Sequence, residues 1–227
     1  MRADVLKSGR KAAGLTQQRA AEQLGVSQAY LALVERGHRR VTEDLTRRMV
    51  NLYQLSPVAL PLQQDASESW DSAKLARAVA DLGYPGFRFS RRGRKRNPAV
   101  VLLSALAADE LEVRVAEALP WLVVHYPDLD WAWLLREAKQ RDLQNRLGFV
   151  VTLGRRVAEK QSTEAVRQSL RQVEETLSRA RLVREDTLCQ RTLSDAERQW
   201  LRQVRPADAR YWNLLTDLDS EKLPYAA

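Results

Sequence analysis

The residues with the most to offer chemically lie between Gln17 and Arg40. Gln28 carries an amide that can donate and accept a hydrogen bond together, the pairing that reads adenine N6 and N7 on a base edge. Ala29 beside it is small enough to meet a thymine methyl. Leu33, one turn further on, either extends the same face or packs inside the chain. Tyr30 reaches either a phosphate or the scaffold. Ser27 and Gln17 stand at expected helix starts, where backbone N–H groups attract phosphate. His38, Arg39 and Arg40 follow in a short turn and are read as phosphate contacts. A second basic run, RFSRRGRKR at 88–96, holds Arg88, Arg91, Arg92, Arg94, Lys95 and Arg96 and no acid. It is either an arm that grips a flanking backbone or minor groove, or a solvated linker.

Catalytic chemistry has less to work with. One cysteine, Cys189, allows no intramolecular disulfide and fits a reducing compartment. With two histidines it cannot make a zinc finger. No phosphate loop, H-E-x-x-H or G-x-S-x-G is present. His125 with Asp128 and Asp130, in HYPDLD, is the nearest approach to an acid–base or metal cluster. Helix capping by the aspartates explains that spacing better. We expect no catalytic residue, no metal and no cofactor.

The elements that must hold Gln28 in place are legible from Gln17 to Arg36. Thr16 can cap a helix whose inward residues are Ala20 and Leu24. Gly25 sits where the chain must reverse within a few residues, so a positive φ is expected. Ser27 can cap a second helix with Leu31 and Val34 inward. Ala21 is small where the two helices would cross. This is the pattern of a helix-turn-helix.

The stretch resembles the Xre/Cro-type, phage-repressor-like family over roughly residues 3–62. Gly14, Leu15, Thr16, Gln17, Ala21, Gly25, Val26, Ser27, Leu31, Glu35 and Gly37 fall at that family's spacing. The resemblance implies double-stranded DNA as partner, with the second helix of the motif in the major groove. It also implies that Arg10 and Glu35 form an ion pair of the scaffold.

The charge of +8 is uneven. Residues 1–65 carry +4 and residues 88–96 carry +6, leaving −2 for the rest. Strand signals are nearly absent, so the fold is expected to be all-α. We expect a five-helix DNA-binding domain at 1–65, a helix and basic linker at 66–97, and a larger helical dimerisation or effector domain at 98–227. The turn Gly83–Gly86 marks a boundary. Further helices are expected near 98–107, 109–125, 130–160, 163–190, 194–204 and 207–217, with Trp121, Trp131 and Trp133 in the core. Val166, Leu170, Val173, Leu177 and Ala180 form a short 4-3-4-3 seam. It serves either a homodimer or partner, or packing on its own domain.

The segments DLDWAWLLREAKQRDLQNRLGFVV and RQWLRQVRPADARYWNLLTDL are similar to antitoxin-like regulators, which implies a toxin as a further partner. The alternative is a repressor that senses a small molecule among its Trp-rich helices. No apolar run approaches the roughly 20 residues that span a bilayer. The basic N-terminus lacks a signal-peptide core. A cytoplasmic protein without membrane contact is therefore expected.

Overall fold

The computed structural model describes residues 3–62, 70–87, 93, 95–161 and 163–225. The chain divides into two compact units, Met1–Gln63 and Gln64–Ala227. Among the described residues twelve α-helices, two 3-10 turns and one two-residue parallel strand pair account for the regular structure.

The first unit holds α1 (Ala3–Ala12), α2 (Gln17–Leu24), α3 (Gln28–Glu35) and α4 (Glu43–Leu52). Leu6, Ala20, Ala21, Leu24, Leu31, Val34, Leu45, Met49 and Tyr53 form its core. The expected fifth helix is a single 3-10 turn, Pro57–Ala59. Leu60 is extended, with φ −68° and ψ 154°. It precedes Pro61, whose ring disfavours the helical conformation in its neighbour and so stops the turn.

The second unit begins with α5 (Ser72–Asp81), the helix expected in the segment 66–97; it packs on α6 and α7 through a face that includes Leu75 and Val79. The turn at Gly83–Gly86 also lies within this unit, with Tyr84 buried at 2% exposure. α6 (Pro98–Ala107) starts on an Asn97 cap that accepts the Ala99 N–H at 2.9 Å. It is apolar all round and almost wholly buried, as such a helix must be. α7 (Val113–His125) and α9 (Gln144–Lys160) cross closely, and a Cβ on Gly154 of α9 would collide with Val123.

The single helix expected at 130–160 is two, α8 (Trp131–Gln140) and α9. They are separated at Asp142, whose φ is +56°. Leu143 beyond the break is buried, so the reversal lets both helices turn apolar faces inward. α10 (Glu164–Ser178) ends well before residue 190 and packs along α9. Leu170 and Leu177 are 0% exposed, so the seam is used within the chain and is not free for a second copy. After α10, β1 (Asp186–Thr187) pairs in parallel with β2 (Leu214–Leu215). Between them lie α11 (Asp195–Val204) and α12 (Ala207–Tyr211). α11 starts on a full capping box, Ser194 with Glu197.

Buried polar side chains tie this irregular region down. Arg146 donates to both Asp186 carboxylate oxygens at 2.7 and 2.9 Å and to the Leu106 carbonyl at 2.8 Å. Asn145 brackets Leu182 with two hydrogen bonds. Trp212 is fully buried and donates its indole N–H to Thr152 Oγ1 at 2.8 Å. Trp121, Trp131 and Trp133, expected in the core, are only half-buried. Their rings lie toward the edges of the unit, and the tryptophan of its centre is Trp212.

Candidate nucleic-acid interface

The path from Thr16 to Tyr30 is built by local hydrogen bonds. Thr16 Oγ1 accepts the Arg19 N–H at 3.2 Å and starts α2. Gly25 ends it in the left-handed region, with φ 63° and ψ 36°. Val26 N–H then returns to the Ala21 carbonyl at 3.0 Å. Ser27 Oγ accepts the Tyr30 N–H at 3.2 Å and starts α3. Arg48 from α4 donates to the Leu24 carbonyl at 2.6 Å, capping the end of α2 from outside.

One face of α3 is therefore committed. Leu31 and Val34 enter the core, and Glu35 is buried beside Arg10. Arg10 donates to the two Glu35 oxygens at 2.6 and 3.1 Å and to the Leu15 carbonyl at 2.7 Å. Burial alone would raise the Glu35 pKa, but hydrogen bonds from Arg10 and Gln17 outweigh it and hold the carboxyl below its ordinary value. The Glu35 hydrogen bond also raises Arg10. This network joins α1 to the last turn of α3 and sets its direction.

The opposite face of α3 is open. Gln28 and Ala29 are exposed, and Leu33 is 37% exposed, so it extends the face instead of packing inside. Two residues that sequence reasoning passed over share this face. Ala32 is half-buried and Arg36 exposed, completing a Gln28–Ala32–Arg36 stripe at four-residue spacing. That spacing was the signal available for finding them.

The other candidates divide. His38, Arg39 and Arg40 are exposed beyond the end of α3. Tyr30 donates its hydroxyl to the Arg40 carbonyl at 3.5 Å, so it braces that loop from the scaffold. Gln17 donates its side-chain amide to Glu35 at 2.9 Å, so that nitrogen is committed within the protein. What Gln17 and Ser27 offer a phosphate is mainly backbone, since first-turn N–H groups have no acceptor within their helix.

Of the second basic run, Arg88, Arg91, Arg92 and Arg94 lie outside the described residues. Lys95 is exposed, and Arg96 stacks over the Trp70 ring at 4.8 Å, with Lys74 near the same ring at 5.4 Å. The HYPDLD cluster separates into structural parts. Asp130 Oδ1 accepts the Trp133 N–H at 2.9 Å and caps α8, while His125 stacks on Trp121. Cys189 is wholly buried, and burial pushes its thiol up to about 11, away from the range of a ready nucleophile. No group of three metal-ligating side chains occurs among the described residues. No helix among them is long and apolar enough to cross a membrane.

Residues 3–62 match a protein-family model described as a helix-turn-helix domain. The match covers the first unit and points to a DNA-binding regulator. Neither the curated proteins nor the solved structures returned a match to the chain.

Proposed function

We propose that this protein is a sequence-specific transcriptional repressor that binds double-stranded DNA as a dimer, with α3 in the major groove. The observation that carries the reading is the asymmetry of α3. Its inner face is held by Leu31, Val34 and the Arg10–Glu35 pair, while Gln28, Ala29, Ala32 and Leu33 face outward. Arg36, His38, Arg39 and Arg40 continue that surface as exposed basic or potentially basic groups. Gln28 is suited to a base edge and the arginines to phosphates.

An eight-residue helix is about 12 Å long and reaches only a few base pairs. A second head supplies the missing affinity through effective concentration. Since the α10 seam is used internally, association needs another surface. The outward side of α11 supports this role, with Trp200 at 52% and Val204 at 45% exposure. Selection of bound duplexes from a random pool tests the proposal. A two-fold symmetric consensus with half-sites about one helical turn apart is the expected result. Recovery of unenriched sequence would overturn it. Light scattering on the full chain distinguishes a dimer from a monomer that instead pairs with a different protein, such as a toxin.

A further inference from the structure

The second unit contains a pocket of about 480 Å³ between α7, the start of the α9–α10 connection and the C-terminal tail. Its volume is in the range of pockets that enclose small organic molecules. One wall holds a stacked pair of rings. Trp121 and His125, one helical turn apart on α7, stack with ring centroids 4.4 Å apart and planes 14° apart. Tyr84 and Tyr126 meet Trp121 edge-on at 5.5 and 6.1 Å, so further aromatic contacts hold the indole. Tyr225 closes another side. Its hydroxyl donates to the Glu117 carbonyl at 2.6 Å, and its carbonyl accepts from Gln161 Nε2 at 3.1 Å. These bonds hold the tail against the pocket.

The lining combines apolar surface, including Val157, with polar atoms from His125, Gln161 and Thr163. Among the described residues, none of the lining side chains is an acid, a lysine or an arginine. In a chain with 29% charged residues, that is a distinct local composition. Partial burial against Trp121 lowers the His125 pKa from its ordinary value and so favours the neutral imidazole, which has one N–H donor and one acceptor nitrogen. An ionised ligand would find no counter-charge among the described lining residues. A flat, uncharged one would stack on the rings and reach the polar atoms with its edge.

We propose that this pocket binds a small, uncharged, planar aromatic molecule with hydrogen-bonding groups on its edge. The site belongs to the second unit and is independent of the DNA-binding reading.

The test uses the full chain without DNA, so failure of the operator experiment does not affect it. Indole serves as probe, with benzoate (charged) and cyclohexanol (uncharged, not planar) as controls, followed through the histidine ring NMR signals. The chain has only two histidines, His38 and His125, and His38 in the first unit is the internal control. Indole is expected to shift His125 saturably, at one molecule per chain, and to leave His38 in place. The controls are expected to bind about tenfold more weakly or worse, a difference of about 1.4 kcal/mol. Thr163→Trp fills the pocket and removes saturation while circular dichroism is retained. Should that variant fail to fold, Gln161→Glu places a carboxylate at the rim and is expected to weaken indole severalfold. Absence of saturation up to the solubility of indole, equal shifts at both histidines, equal binding of benzoate, or indole affinity unchanged in a folded Thr163→Trp or Gln161→Glu chain would overturn the proposal.

Discussion

Replacing Glu35 by alanine should strongly destabilise the first unit and leave the stability of the second unchanged. The side chains of Arg10 and Glu35 are 9% and 2% exposed. Glu35 accepts two hydrogen bonds from Arg10 and one from Gln17. Its loss leaves a guanidinium with its charge uncompensated, and removing one partner of such a pair costs about 3–5 kcal/mol. A unit of this size has a total stability of roughly 3–9 kcal/mol at the usual value per residue, so at least about a third of it is lost. The tryptophans provide a selective readout, since all six lie at or beyond Trp70 and none is in the first unit. In urea, Glu35→Ala should show an early transition by far-ultraviolet circular dichroism, with the tryptophan-fluorescence midpoint unchanged. An Arg10→Met, Glu35→Leu double variant should recover much of the loss, because a packed apolar pair does not have to desolvate charge. Wild-type-like dichroism in Glu35→Ala, or a fluorescence midpoint that moves with it, would refute the reasoning. The pH dependence has a definite sign. The folded pKa of Glu35 lies below its unfolded value, so the stabilisation is complete above the unfolded value of about 4.3. It is lost as pH falls through the lower folded value. Glu35→Gln should flatten that acid limb.

Further outcomes follow from other parts of the structure. Gln28→Ala should weaken operator binding by about 1–3 kcal/mol and relax preference at one base position per half-site, whereas Arg39→Ala should weaken all sequences alike; competition against single-base variants separates the two. With Arg36, Arg39 and Arg40 neutralising roughly 6 phosphates per dimer, log K should fall against log salt with a slope of about −5; a slope near zero would remove the phosphate contacts. Tyr53→Phe should be as stable as the parent or more so, because the Tyr53 hydroxyl is buried without a hydrogen-bond partner among the described residues and such a group costs about 1–3 kcal/mol. Leu170→Glu should lower the fluorescence midpoint by more than about 3 kcal/mol of stability, since it puts a carboxylate into the α9–α10 contact; a folded monomer from a dimeric parent would show instead that the seam lies between copies.

Sequence alone determined what short-range chemistry controls. The bounds of α2 and the start of α3 follow from Thr16, Gly25 and Ser27, whose capping bonds and left-handed turn involve residues at most a few positions away. The all-helical character and the division of α3 into an inner and an outer face follow from apolar spacing. The Arg10–Glu35 pair came from the family resemblance and is borne out by its geometry. What sequence could not determine depends on partners distant along the chain. Asp142 tolerates the left-handed turn, and Leu143 N–H closes it locally on the Ala138 carbonyl at 2.8 Å, but that the helix ends there depends on Leu143 reaching the core. Residues 179–190 have helical composition, yet Arg146 captures Asp186, Asn145 holds Leu182, and β1 pairs with β2. These contacts span 28 to 40 residues. The same holds for the use of the α10 seam and the commitment of the Gln17 amide to Glu35. A heptad spacing describes an apolar stripe but not what covers it. Only the tertiary structure placed α9 there, because apolar burial is non-directional and goes to whichever surface the rest of the fold brings within reach.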